Sequence, residues 1–229
     1  MKNFHLECFS LTAVFVCSIF FLLIRTVFMT EKHSLPGKRP TRMLRNQQAI
    51  LDHIIQSGAT HCQFIPAQLL MPEERIRSYC YQNICGNYHK HLTCPPHTGT
   101  IAEITDKLKP FRTGILIQYS EHIDVRNDPE DLKRTKLNLH RIVLETERYL
   151  KEEMKCEHIW GMIGGRCDLC DECAGFSGNS CVHPDTARVS MEAVAIDVVS
   201  LLKRLHLDAE FHDDMITWTG IVLTDEEIR

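Results

Sequence analysis

The sequence lacks the short motifs that identify the commonest enzyme classes. It has no Walker phosphate-binding loop, no Rossmann glycine fingerprint, no HExxH zinc motif and no Ser-His-Asp grouping. It also has no long basic run, and its net charge is −4, so we expect no nucleic-acid partner. Aromatic residues are few, at 7%, and both tryptophans, Trp160 and Trp218, are expected in the core. The function has to be sought in another feature of the chain.

That feature is cysteine, with 11 residues in the chain. Seven of them fall into two tight groups, within the stretches CYQNICGNYHKHLTCPP and GGRCDLCDECAGFSGNSC. Disulfide frameworks spread their cysteines through a small secreted domain, so this grouping favours metal binding. The first group is Cys80, Cys85 and Cys94, and the second is Cys167, Cys170, Cys173 and Cys181. Cys62 and Cys156 are expected to be buried apolar residues, and Cys8 and Cys17 to face lipid or a partner helix.

The amino-terminal segment 8–29 is apolar apart from Ser, Thr and Arg25. Its length matches the roughly 20 residues that span a bilayer, and no small-residue cleavage site follows it. It therefore predicts a hydrophobic helix that anchors the chain in a membrane. More basic residues follow the segment than precede it, which places the remainder on the cytoplasmic side. The alternative is a true start at Met29 or Met43, which would leave a soluble cytoplasmic protein.

Residues 30–42 contain two prolines, one glycine and four basic residues, a composition typical of an exposed linker. Residues 43–229 form the predicted cysteine-rich metal-binding domain. Within it, apolar periodicity, capping residues and turn signals predict alternating helices and strands. The predicted helices are 43–57, 100–108, 128–155 and 184–205, and the predicted strands are 61–67, 113–120, 157–165, 209–212 and 216–224.

The two halves of this domain resemble each other. Each contains a helix, a strand, a cysteine loop, a second helix and a second strand, and the closing strands read TGILIQYSE and TGIVLTDEE. The predicted fold class is α/β, a two-layer sandwich built from two similar helix–strand–Cys-loop–helix–strand halves. We hypothesise a duplication, which would put both cysteine loops at the same edge of one sheet. Chance similarity between buried strands is the alternative.

The second cysteine group has the spacing C-x2-C-x2-C followed by a later cysteine. Structural zinc usually takes two separated pairs, whereas three thiolates at this step are typical of a [4Fe–4S] cluster. The fourth cysteine comes later here than in ferredoxins, so zinc and a redox dithiol remain alternatives. Asp168, Asp171 and Glu172 flank the thiolates and would lower a cluster's reduction potential, unless they are simply solvated. The predicted cluster ligands are Cys167, Cys170, Cys173 and Cys181.

The first group supplies only three thiolates, Cys80, Cys85 and Cys94. A four-coordinate centre needs one more ligand, or keeps an open position where a substrate can bind. A structural zinc site with three cysteines and one histidine is the alternative. The candidates for the missing ligand are Cys62, His89, His91, His97, Cys181 by exchange, and an exogenous group.

Both cysteine loops, the Cys-Pro-Pro sequence and the stretch from Arg188 to Glu192 resemble one family. It is the cysteine-rich family of predicted metal-binding proteins of unknown function (domain of unknown function 2284), and the likeness runs from about Leu44 to the end. The resemblance implies metal binding through the seven clustered cysteines, but it supplies no reaction. It also implies a glycine immediately before Ile196, where this chain has Ala195.

The sequence therefore predicts a metal-binding protein that carries one or two [4Fe–4S] clusters and transfers electrons or serves as a redox accessory. Its redox partner is unknown, and membrane contact would be made through residues 8–29. One alternative is a zinc-binding structural module. The other is an enzyme that uses the open three-cysteine site.

Overall fold

The computed structural model describes residues 43–44 and 46–227, so the predicted anchor at 8–29 and the whole predicted linker at 30–42 lie outside it. In this part of the chain no helix is both long and apolar enough to cross a membrane. The α-helices are α1 (Gln47–Gln56), α2 (Glu74–Tyr81), α3 (Ile101–Leu108), α4 (Pro129–Glu152) and α5 (Val198–Arg204). The strands are β1 (His61–Pro66), β2 (Thr113–His122), β3 (Ile159–Met162) and β4 (Met215–Thr224), and short 3-10 helices span Ala67–Leu69, Ala174–Ser177 and Glu192–Val194.

The four strands form one antiparallel sheet in the order β1-β2-β4-β3. In the central pair, Thr113 lies opposite Thr224 and Gln118 lies opposite Thr219. The pair does not superimpose the two similar sequences, since Gly114 and its sequence equivalent Gly220 lie on opposite faces of the sheet, but the strands themselves are related by a local two-fold axis normal to the sheet. The edge strands obey the same relationship, because β1 pairs with β2 and β3 pairs with β4. The repeated order of elements predicted from the sequence is therefore observed in the topology.

Helices cover both faces of the sheet, which makes three layers where the sequence predicted two. In the central strands, Ile115 and Val222 point to a core shared with α1 and α4. Leu116 and Ile221 point to a second core shared with α3 and α5. Both faces of β2 and β4 are apolar, and a sheet of this kind has to be covered on each side. In each half, the helix before the edge strand packs on one face, and the helix after the cysteine loop packs on the other.

The duplication hypothesis predicted that both cysteine loops leave the same edge of the sheet, and this prediction is wrong. The edge strands β1 and β3 run in opposite directions, since each is antiparallel to its central neighbour. Their carboxyl ends therefore point in opposite directions along the sheet. A two-fold axis normal to an antiparallel sheet requires this arrangement. The loops nevertheless meet, where Gly175 lies against the carbonyl of Lys90.

Helix starts follow the predicted capping signals. Thr100 and Glu103 form a reciprocal capping box at α3, with the Thr100 amide donating to Glu103 Oε2 at 2.7 Å. Asp128 caps α4 by accepting a hydrogen bond from the amide of Asp131, and Pro129 occupies the first helical turn. Trp160 and Trp218, predicted in the core, are partly buried and pack against the two opposite core clusters.

Two predicted elements are wrong. The helix predicted over 184–205 is confined to α5, and residues 209–212 form no strand. Ser190 instead forms a bridge with Ile163, and Ala195 adopts a left-handed conformation with φ 66°, which no continuous helix contains. Asp197 then caps a new helix by accepting from the amide of Ser200. The apolar residues in 184–196 pack into the core although their backbone is irregular. Their spacing along the sequence is the same as that of a helical face, which is why a helix was predicted.

Candidate metal centres

The first cysteine loop begins in the last turn of α2, where Cys80 lies. Two tight turns follow, with Gly86 at φ 71° and the amide of His89 donating to the carbonyl of Pro95 at 2.9 Å. These turns bring Cys80, Cys85 and Cys94 to the wall of one cavity of about 430 Å³. The remaining lining comes from both halves of the domain and consists of Asn87, Tyr88, Pro95, Lys136, Gly165, Arg166, Ser190, Glu192 and Ala193.

The three thiols of this cavity affect one another. Burial, with the charges of Cys85 and Cys80, raises the pKa of Cys94 to about 12. Burial also raises the pKa of Cys80, against the nearby guanidinium of Arg77, which lowers it. The thiols of Cys80 and Cys94 therefore stay protonated unless a cation compensates the charge of their thiolates. A bound metal supplies that compensation, since metal coordination takes the place of the thiol proton.

The second cysteine loop follows β3 directly. Gly165, at φ 69°, turns the chain, and Cys173 precedes the short 3-10 helix Ala174–Ser177. All four predicted ligands, Cys167, Cys170, Cys173 and Cys181, line a single cavity of about 20 Å³. The same cavity is lined by His91, Leu92, Thr93, Leu169, His183 and Ala187.

The two loops touch each other closely. A Cβ atom on Gly175 would lie 2.2 Å from the carbonyl oxygen of Lys90, so only glycine fits at this crossing. Beside it, the ring of Phe176 meets the ring of His91 edge-on at 6.5 Å. Arg166 Nη1 also donates to Asn87 Oδ1 at 3.3 Å. The cavities are thus neighbours, as the sequence predicted, although their loops follow edge strands that run in opposite directions.

Basic side chains of α4 and the loop neutralise two of the acids that flank the second thiolate group. Lys136 Nζ pairs with Asp168, which also accepts from Arg166 Nε at 2.8 Å. Lys133 Nζ lies 2.7 Å from Asp171. These ion pairs lower the pKa of Asp171, and they lower that of Asp168 although its burial acts in the opposite direction. The expectation that Asp168 and Asp171 act as uncompensated negative charges therefore needs correction.

None of the proposed protein candidates for the fourth ligand lines the first cavity. Cys62 packs on the core beneath α1 and its Sγ points to the carbonyl of Leu51 at 3.6 Å. His91 and Cys181 line the second cavity. His97 Nε2 lies 3.2 Å from the carbonyl of His89, and neither of these residues lines the first cavity.

Sequence reasoning missed two residues near the first group. Arg77 is 3% exposed, and its Nε and Nη2 have no hydrogen-bond partner. Glu192 lines the cavity, and its Oε2 is buried without a partner. Burial raises the pKa of Glu192, although hydrogen bonds from Ser190 and the amide of Gly165 oppose this. Nothing in the sequence around these two charged residues indicates that their side chains are buried. Only the resemblance of the stretch from Arg188 to Glu192 pointed to this region.

In the described part of the chain, no three Cys, His, Asp or Glu side chains are arranged to hold a metal ion as they stand. The donor chemistry nevertheless fits a soft metal, because four thiols line one cavity and three line the other. For the thiols of each cavity to converge on a metal, their side chains would have to rotate and the loops would have to move slightly.

The fold and its two cavities define a cysteine-rich α/β domain with thiolate donors. A family model described as "Predicted metal-binding protein (DUF2284)" matches residues 63–224. The chain belongs to this family, as the resemblance of its cysteine loops had indicated. No curated protein and no solved structure matches the chain.

Proposed function

We propose that this protein carries an iron–sulfur cluster on Cys167, Cys170, Cys173 and Cys181, and a second metal centre at the three-cysteine cavity. We further propose that it transfers electrons, or serves as a redox accessory to a partner protein. The observation that supports this is the segregation of the seven clustered cysteines into two adjacent cavities, with four thiols in one and three in the other.

The spacing of the second group favours iron–sulfur over zinc. Thiolates three residues apart wrap a short loop around one cluster, whereas zinc knuckles contribute ligands as separated pairs. A bound cluster would supply reversible one-electron chemistry. The chain's own contribution is a partly desolvated setting: Cys167 is buried, and Leu169, Leu92 and Ala187 line the same cavity. Lys133 and Lys136 pair with the neighbouring carboxylates of Asp171 and Asp168. Because of this pairing, the reduction potential of a bound cluster would be higher than it would be beside uncompensated carboxylates.

A zinc-binding structural module is the second candidate, and the size of the second cavity favours it. A cavity of about 20 Å³ has room for about one water-sized sphere. A single ion has about this size, whereas a cuboidal cluster is larger than the cavity.

An enzyme acting at the three-cysteine site is the third candidate. The cavity of about 430 Å³ has the size of a small-molecule binding site, and only part of its wall is thiol. Lys136 and Arg166 lie on the same wall and would attract an anionic group of a ligand.

Metal analysis of the full chain, purified without oxygen in detergent, separates these candidates. We expect iron and acid-labile sulfide in equal amounts and brown protein. Colourless protein with stoichiometric zinc and no sulfide would contradict the iron–sulfur proposal and support the structural module. Cys62→Ala is the matched control, since this cysteine lies outside both cavities and its loss leaves the metal content unchanged.

We also propose that residues 8–29 anchor the domain to the cytoplasmic face of a membrane, from their apolar length and the basic residues that follow. Membrane fractionation of cells expressing the full reading frame tests this proposal. The chain should sediment with membranes and be released by detergent but not by high salt. Recovery of only soluble protein whose amino terminus is Met43 would contradict it.

A further inference from the structure

The first cavity presents three thiols, one fewer than a four-coordinate metal centre takes. The cysteines and histidines that sequence reasoning offered as the fourth ligand lie elsewhere: Cys62 packs under α1, and His91 and Cys181 line the second cavity. Among the residues that line the first cavity, the one other side chain that commonly serves as a ligand of zinc, a borderline metal, is the carboxylate of Glu192.

Glu192 is unusual because one of its carboxyl oxygens is buried and makes no hydrogen bond. Burial of a polar atom without a partner costs free energy, and such atoms in native proteins call for an explanation. This orphan oxygen belongs to a residue that lines the same cavity as the three thiols. A metal bound to the thiolates would supply the missing partner.

The backbone holds Glu192 in place from several sides. The preceding Met191 amide donates to the carbonyl of Ile163 at 3.1 Å, which joins this segment to the start of the second cysteine loop. Ser190 Oγ accepts from the amide of Ala193 at 3.0 Å and closes the 3-10 turn that begins at Glu192. The amide of Glu73, at the start of α2, donates to the carbonyl of Ala195 at 2.9 Å. The backbone of Glu192 is therefore fixed relative to the helix that carries Cys80, as the backbone of a metal ligand has to be.

We propose that Glu192 is the fourth protein ligand of the metal centre formed by Cys80, Cys85 and Cys94. The proposal rests on the proposed function, because it requires that the first cavity bind a metal. It assigns a mixed thiolate–carboxylate set to this centre and an all-thiolate set to the second. It also links the two halves of the domain, since the carboxylate comes from the second half and the thiolates from the first.

Cobalt(II) is a suitable probe because its absorption spectrum reports both the number of thiolate ligands and the coordination geometry. The parent for the titration is the full chain carrying Cys170→Ser and Cys173→Ser, made metal-free in detergent, which leaves two thiols in the second cavity and three in the first. We expect Glu192→Gln to weaken cobalt binding by at least about 10-fold, since even the loss of a group that supports a ligand costs 10- to 100-fold. Glu192→Cys should restore binding and add thiolate-to-cobalt absorption.

Glu103→Gln is the control, since this carboxylate lies at the exposed capping box of α3 and should leave cobalt binding unchanged. Near-ultraviolet circular dichroism of each metal-free variant verifies that it is folded. Equal affinity and equal spectra for the parent and Glu192→Gln would overturn the ligand assignment and leave the proposed function intact. If Cys85→Ser removed no cobalt from the parent, both the ligand assignment and the proposed metal centre at the first cavity would be overturned. If Glu192→Gln does not fold, Glu192→Cys tests the proposal instead. A thiolate-to-cobalt absorption at saturation equal to that of the parent would overturn the ligand assignment.

Discussion

Glu147 of α4 holds Arg188 in the segment that follows the second cysteine loop, with Oε2 2.6 Å from Nη2. The same carboxylate accepts a hydrogen bond from the amide of Gly161 on β3 at 2.7 Å. Both side chains are mostly buried, at 14% exposed for Glu147 and 20% for Arg188. One residue therefore ties a helix, an edge strand and the segment leading to Ser190 and Glu192, and so positions the wall of the first cavity.

Glu147→Ala should lower the free energy of unfolding of the metal-free protein by about 3 kcal/mol, because it leaves a buried guanidinium and the Gly161 amide without their partner. Urea unfolding measures this loss. Glu145→Ala is the control on the same helix, since Glu145 makes an exposed pair with Arg141 and should cost roughly 0.5 kcal/mol or less. Equal losses in the two variants would show that the Glu147–Arg188 pair has no special structural role.

Ala195 has a backbone conformation that favours glycine, with φ 66°, and it is fully buried. This explains why the family resemblance implies a glycine at this position. A left-handed residue with a Cβ costs about 1–2 kcal/mol, which glycine recovers. We therefore expect Ala195→Gly to be about 1–2 kcal/mol more stable than Ala193→Gly, a neighbour of similar burial without this conformation. Chemical denaturation compares the variants, and equal stabilities would contradict the interpretation.

The capping box of α3 makes stability depend on pH. The backbone and side chain of Thr100 donate hydrogen bonds to Glu103 and lower its pKa in the folded state. The contribution is complete above the pKa that Glu103 has in the unfolded chain, and it disappears as the pH falls through the lower folded-state pKa. The stability difference between the parent and Glu103→Gln should shrink over that acidic window. A difference that is constant with pH would contradict this account. Thr100→Ala should cost about 1 kcal/mol at neutral pH.

Arg77 is a buried guanidinium with two unpartnered nitrogens, and it lies near enough to Cys80 to lower the pKa of that thiol. An unpaired buried charge destabilises a protein, whereas the same charge beside metal-bound thiolates is compensated. Arg77→Met should therefore leave the metal-free protein as stable as the parent or more so, and should weaken metal retention at the first cavity.

Thermal unfolding with and without metal, together with metal content after dialysis, measures both effects. Arg75→Met is the matched control from the same helix, since Arg75 is exposed and pairs with Asp197 and Glu73. A loss of metal-free stability in Arg77→Met without any change in metal retention would contradict the counter-charge role.

The helix starts and the buried strands could be predicted from the sequence because capping residues and apolar runs act through contacts between residues close in the chain. Thr100 with Glu103, and Asp128 with Pro129, fix two helix starts by contacts within a few residues. The helix predicted over 184–205 failed because its conformation depends on distant partners, such as the bridge between Ile163 and Ser190. The third layer was missed because the helix predictions could not assign each helix to a face of the sheet.

For the candidate site, the grouping of the cysteines predicted two neighbouring donor sets, and the structure places each set on one cavity. Glu192 and Arg77 could not have been identified in the same way. Their importance comes from burial without hydrogen-bond partners, which is a property of the folded chain. The ion pairs of Lys133 and Lys136 with the loop acids also join residues more than 30 positions apart in the sequence.

The central claim is that the two cysteine groups hold two separate metal centres. Metal and acid-labile sulfide, measured per chain in oxygen-free preparations of Cys85→Ser and Cys170→Ser, test it most directly. The account predicts that each variant loses one part of the bound metal and keeps the other, and that the two losses together equal the total. Loss of all metal from either single variant would contradict it, and would mean that the seven cysteines form one shared site.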